Sequence, residues 1–200
     1  MPTWLGVDVG APKKGFDVAL VDTRGLLQLE HARRLRCRDV ALLVERYQPR
    51  VVGIDSPSRC APDGARLRQD ERQLAASVCG IRWTPDRARL VANEAYYSWV
   101  QEGLRLYRAL EGVDAELIEV FPTASWTRWF GPRGQASRAQ WTRRGLTALG
   151  IAGLPTRTNQ DERDAIAAAV TARQYTNGLI ERFGEIVVPS GPWRPSPPAP

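Results

Sequence analysis

Histidine, lysine and patterned cysteine are what this sequence has least of, and each shortage removes a class of chemistry. His31 is the one histidine in 200 residues. It stands in "LEHARRLRC", at a strand edge or loop with no nucleophile motif nearby, which argues against Ser–His–Asp and Cys–His catalysis. Cys37, Cys60 and Cys79 are odd in number and lack CxxC spacing, so neither a disulfide framework nor a zinc knuckle is expected. No apolar run approaches the roughly 18 residues of a membrane span. The opening "MPTWLGVDVG" enters a strand pattern with no basic leader region or cleavage site. The chain therefore reads as cytoplasmic, without a membrane partner. "GAPKKG", Gly10 to Gly15, lacks the Lys and Ser/Thr that complete a P-loop and reads as a turn.

Lysine is confined to Lys13 and Lys14, yet the net charge is +6 and the pI about 9.7. The positive charge is thus almost wholly arginine, whose planar fork suits bidentate phosphate contacts and points toward nucleic acid or another phosphate partner. A genomic codon bias toward Arg and Ala would produce the same excess.

One folded domain is expected over residues 1–189, with "SGPWRPSPPAP", 190–200, a proline-rich disordered tail. "TWLGVDVG" alternates, Leu5, Val7 and Val9 on one side and Trp4, Gly6 and Asp8 on the other. "GFDVALVDTRG" and "LLQLEHARRL" complete an antiparallel meander, and "CRDVALLVERY" is an amphipathic helix. "RVVGIDSP" and "AELIEVFP" are continuously apolar, the pattern of strands buried on both faces. Between them, residues 56–114 read as an insertion with helices over about 65–79 and 93–110. "TASWTRWFG" and "SRAQWTRRGLTAL" are helices, and Trp126, Trp129 and Trp141 read as core. "NQDERDAIAAA" opens a long helix with Asn159 as N-cap and Glu162 closing a capping box. "GEIVVP" is a last short strand. The order gives a mixed α/β sheet flanked by helices.

Acids stand where apolar residues would be expected. Asp8 and Asp55 end apolar strands, and in α/β sheets functional groups collect at the carboxyl ends of strands. Glu119 sits inside "LIEVFP", as a further acid of the site or the partner of an arginine such as Arg128. Asp161 suits the helix dipole. Asp164 lies a turn deeper, against alanines, where a lone carboxylate is costly to desolvate; it needs a partner or a ligand. Asp8, Asp55, Asp161 and Asp164 converging with no lysine or histidine nearby would repel one another. An oxygen-only set of this kind suits Mg²⁺ or Mn²⁺, and two such ions can drive phosphodiester cleavage. Asp8 and Asp55 can also be read as strand-end turn residues.

Four ordered motifs, "GVDVGAPKKGF", "GIDSP", "IEVFPTASW" and "NQDERDAIAAAVTA", resemble the DUF429 family of predicted nucleases with the ribonuclease H-like fold. The resemblance covers most of residues 3–189. It implies a five-stranded mixed sheet, with metal ligands on the first strand, the fourth strand and the last helix: Asp8, Asp55 and Asp164, with Asp161 as the extra helix acid. Glu119 matches the family glutamate. "SRCAPDGARLRQDERQL" resembles the family's segment after the fourth strand, and Arg59, Arg66, Arg68 and Arg72, with Lys13 and Lys14, form a candidate phosphate-binding rim. Arg68 and Arg72 share a helical face beside Trp83, an arrangement that suits stacking on a single strand; local pairing with Asp70 and Glu71 is the alternative. The function expected is metal-dependent nucleic-acid cleavage. Since "GVDVG" also opens sugar kinases and actin-like ATPases, a nucleotide or phosphometabolite enzyme stays open, as does a non-catalytic nucleic-acid-binding module.

Overall fold

A computed structural model describes residues 1–31 and 35–193. The strands are β1 (Trp4–Val9), β2 (Phe16–Val21), β3 (Leu26–His31), β4 (Val51–Asp55), β5 (Glu116–Val120), β6 (Ile180–Phe183) and β7 (Ile186–Pro189). The helices are α1 (Cys37–Tyr47), α2 (Gln69–Ser77), α3 (Arg87–Ala92), α4 (Ser98–Ala109), α5 (Pro122–Phe130), α6 (Arg138–Leu149) and α7 (Gln160–Thr176).

The strands form one sheet in the order β3-β2-β1-β4-β5-β7-β6. β2 is antiparallel to β1 and β3, while β1, β4 and β5 run parallel. That is the expected ribonuclease H-like arrangement. The sheet has seven strands rather than five, because β7 pairs parallel with β5 and β6 returns antiparallel on β7. β6 was missed because "LIERF" places two charges in four residues of a half-buried edge.

Each face of the sheet carries its own core. The alternation of β1 decides which residue faces which: Leu5, Val7 and Val9 pack with Val40 and Val44 of α1 and with Leu106 and Leu110 of α4 and its end. Trp4 joins Trp126, Trp129, Trp141 and the alanines of α7 on the opposite face. Asp8, two residues on from Gly6, shares this second face.

α7 lies against β1, β2 and β4 unusually closely. Gly6 and Gly53 are registered opposite each other. A Cβ on Gly6 would stand 2.1 Å from the Ala165 carbonyl oxygen, and one on Gly53 2.6 Å from that of Ala168. Glycine on the sheet and alanine on the helix let the two backbones approach, which the alanine-rich composition of α7 alone does not explain. The helix begins as expected, with Asn159 accepting from the Glu162 amide and Glu162 bonding back to the Asn159 amide.

The segment between β4 and β5 departs from expectation in detail. The first helix starts at Gln69, after an irregular stretch, and the loop before α4 contains the short α3. α4 is a core element of the sheet's α1 face. At the C-terminus, Trp193 packs edge-to-face on Trp129, 5.7 Å between ring centroids. Residues 194–200 of the expected tail lie outside the described residues.

Candidate metal centre

The parallel pairing of β1 with β4 places Asp8 and Asp55 side by side at the carboxyl ends of neighbouring strands. The antiparallel pairing with β2 puts Asp17 across from Asp8 on the other side. α7, seated on Gly6 and Gly53, brings Asp161 and Asp164 over this end of the sheet. Asp8, Asp17 and Asp161 each direct a carboxylate oxygen into a common space, all within 4.8 Å of one another. Asp55 and Asp164 flank that trio. Asp17 was not foreseen, though the hairpin register carries the signal: with Val9 opposite Phe16, Asp8 must face Asp17.

The cluster's electrostatics follow from burial and like charge. Desolvation, then Asp164, pushes the Asp8 carboxyl up to about 8 against the pull of Lys14. Asp55 is raised well above its ordinary range by burial and by the charges of Asp8 and Asp164. Asp164 is raised mainly by burial, while its donors pull the other way. They are Arg138 Nη2 at 2.9 Å, Gln160 Nε2 at 3.0 Å and Trp126 Nε1 at 3.2 Å. The partner that a buried carboxylate in this position demands is therefore Arg138, the first residue of α6, which nothing in the local sequence signals.

One expectation is overturned here. The acids do not converge without a lysine: Lys14 Nζ lies 2.7 Å from Asp161 Oδ1 and 3.8 Å from Asp8 Oδ2. Burial would lower its proton affinity, but its hydrogen bond to Asp161 and the charge of Asp8 raise it.

The cluster lies at one end of a cleft of about 540 Å³ whose other wall is the β4–β5 segment, including Arg82, Thr84 and Trp99. The rim arginines are arranged differently from expectation. Arg68 is 1% exposed. Its guanidinium grips both oxygens of Glu119, Nη1 to Oε2 at 2.8 Å and Nη2 to Oε1, and its Nε donates to Glu71 at 3.0 Å. Glu71 also accepts from the amide and hydroxyl of Thr84. A guanidinium so committed offers no free fork to a phosphate, and Arg72, one helical turn on, is exposed while Arg68 is buried. The two do not form one basic face. Glu119 further accepts from the Ser58 amide and hydroxyl at 2.8 and 2.9 Å, so it ties the wall of the cleft instead of joining the carboxylate trio. Arg128, the arginine expected to partner Glu119, pairs with Glu181 instead. Arg59 bonds Asp70, and Arg59, Arg66 and Arg72 do not line the cleft, whereas Arg82 and Arg138 do.

The donor set fits a hard divalent cation. Asp8, Asp17 and Asp161 supply only oxygens, the donors such an ion takes, and Asp8 and Asp55 are raised first by burial and then by neighbouring like charge. No described helix is long and apolar enough to cross a membrane.

No protein of curated function matches the sequence. Among solved structures, that of RuvC from Thermus thermophilus is similar over 88% of this chain and 96% of its own, at 15% identity and a TM-score of 0.48. The family model described as "Protein of unknown function (DUF429)" matches residues 6–187, nearly the whole of the sheet and its helices, and the chain belongs to that family.

Proposed function

We propose that the protein is a metal-dependent phosphodiesterase acting on nucleic acid. The observation that carries this reading is the convergence of Asp8, Asp17 and Asp161 within 4.8 Å at the carboxyl end of β1, flanked by Asp55 and Asp164 and opening into a cleft with Arg82 on its far side. Asp8, Asp55, Asp161 and Asp164 are the proposed ligands, joined by Asp17. Bound there, Mg²⁺ or Mn²⁺ would polarise a phosphoryl oxygen and ease deprotonation of an attacking water. The chain itself supplies placement. β1, β2 and β4, internal strands of the sheet, hold three carboxylates at one end of it, and α7 holds two more. Arg138 steadies Asp164. Arg82, unpaired among the described residues, and Trp99 supply a cation and an aromatic face on the substrate side, the combination that grips single strands.

Cleavage of a labelled single-stranded oligonucleotide tests this directly. It should require Mg²⁺ or Mn²⁺ and vanish in chelator, and Asp8→Asn should abolish it while leaving binding largely intact. Cleavage that survives Asp8→Asn unchanged would rule the site out. A second reading, hydrolysis or binding of a nucleotide-sized phosphate ester, is favoured by the cleft's volume, which is that of a small-ligand site. Turnover of mononucleotides with none of the oligonucleotide would select it.

A further inference from the structure

Building on the metal-site reading, we propose that Lys14 is a tethered cation that occupies the carboxylate cluster in the metal-free protein and has to leave it when a divalent ion binds. Lys14 Nζ contacts Asp161 at 2.7 Å and approaches Asp8 at 3.8 Å. These two residues, with Asp17, are the ones whose oxygens lie within 4.8 Å of one another. A divalent ion bound by these oxygens would claim the space that an ammonium already hydrogen-bonded to one of them takes up. Two cations in that volume would also repel each other strongly, since a few ångströms of partly buried medium screen poorly.

The lysine is placed there by the backbone. Ala11–Gly15 forms a tight turn between β1 and β2, closed by Gly10 N to Gly15 O at 3.1 Å and Lys14 N to Ala11 O at 2.8 Å. The Lys14 stem runs back across Gly10, where a Cβ would stand 3.0 Å from Lys14 Cδ and 2.3 Å from the Gly15 carbonyl oxygen. A side chain at position 10 would lift the stem off the cluster. Lys14 keeps 48% of its side chain exposed, so it has a way out to solvent, and its tether holds a displaced ammonium at the cleft. Lys13, exposed in the same turn, forms no ion pair among the described residues and provides an internal control.

The test is calorimetric titration of the full-length, metal-free protein with Mn²⁺ alone, for the parent and for Lys14→Met, Lys14→Arg, Lys13→Met and Asp8→Asn. Removing the competing charge should tighten the Mn²⁺ Kd by about tenfold or more in Lys14→Met. Lys14→Arg, which keeps the charge, should stay near the parent. Lys13→Met should change the Kd by less than about threefold, because its charge is screened by solvent. Lys14→Gln makes the same charge removal if the methionine variant folds poorly. An Asp8-dependent Mn²⁺ affinity that is the same in Lys14→Met and Lys13→Met overturns the competition and leaves the metal site standing. Mn²⁺ binding that is untouched by Asp8→Asn places the ion elsewhere and overturns both.

Discussion

Asp164 accepts from Arg138, Gln160 and Trp126, and that donor set governs what happens when its charge is removed. Asparagine offers one acceptor oxygen where the carboxylate offers two, and its NH₂ would face N–H donors. Asp164→Asn should therefore lower the stability of the metal-free protein by about 1–3 kcal/mol, the cost of leaving buried donors unsatisfied. Urea denaturation in chelator measures it; a gain in stability would mean that repulsion from Asp8 and Asp161 outweighs the donors. Asp8 behaves oppositely because it is held mainly by burial. Its carboxyl is raised from 3.8 to about 8, so between those values the folded protein keeps a proton that the unfolded chain has lost. Stability is then greatest at the acidic end and falls as pH rises toward 8. Asp55 shifts in the same direction, and Lys14, raised above an ordinary value of 10.5, titrates outside that window. The melting temperature in chelator should decline from pH 5 to pH 8, and Asp8→Asn should flatten the decline.

At the scale of elements, the seating of α7 on the sheet positions two of the five acids. Gly6 and Gly53 leave the space into which Ala165 and Ala168 settle, and the helix carries Asp161 and Asp164 to the strand ends only at that separation. Gly6→Ala would drive a methyl group into helix backbone, which cannot rotate away as a flexible side chain could. The expected loss is about 1–3 kcal/mol or more. Because α7 must move out, the melting shift produced by millimolar Mn²⁺ should shrink as well. A destabilised variant with the parent's full Mn²⁺ shift would show that helix and sheet separate without disturbing the cluster. On the other side of the cleft, the Arg68–Glu119–Glu71 network does comparable positioning. It ties the start of α2 to β5 through a bidentate pair, a use of arginine that suits a buried site better than the solvent-facing rim expected from the family resemblance of this segment.

For the molecule as a whole, a net charge of +6 coexists with a cleft of mixed sign: acids at one end, Arg82 on the opposite wall. Binding of single-stranded nucleic acid should weaken steeply with salt as condensed counterions are released. Arg82→Ala should flatten the log–log salt slope by about one, the effect of one phosphate contact. Arg72→Ala, outside the cleft, should change it less. Equal effects at the two positions would move the nucleic acid off the cleft and onto the general basic surface.

Much of this architecture is written in local pattern. The alternation in β1, the apolar runs of β4 and β5, the Asn159–Glu162 cap and the aspartates at the carboxyl ends of two buried strands are all decided by residues within a few positions of one another. They are legible because backbone geometry repeats over that range. Asp8, Asp55 and Asp164 could be singled out for the same reason, since each breaks an apolar pattern, whereas Asp161 stands in the polar first turn of α7. What no local pattern contains is the choice of partner. Arg68 and Arg72 look alike in sequence, and one is buried on Glu119, 51 residues away, while the other faces solvent. Arg138 reaches Asp164 across 26 residues, and Lys14 enters the cluster only because a turn folds its stem across Gly10. Charge pairing is a through-space interaction whose strength depends on burial. Both the distances and the burial exist only once sheet, helix and the β4–β5 segment have packed together.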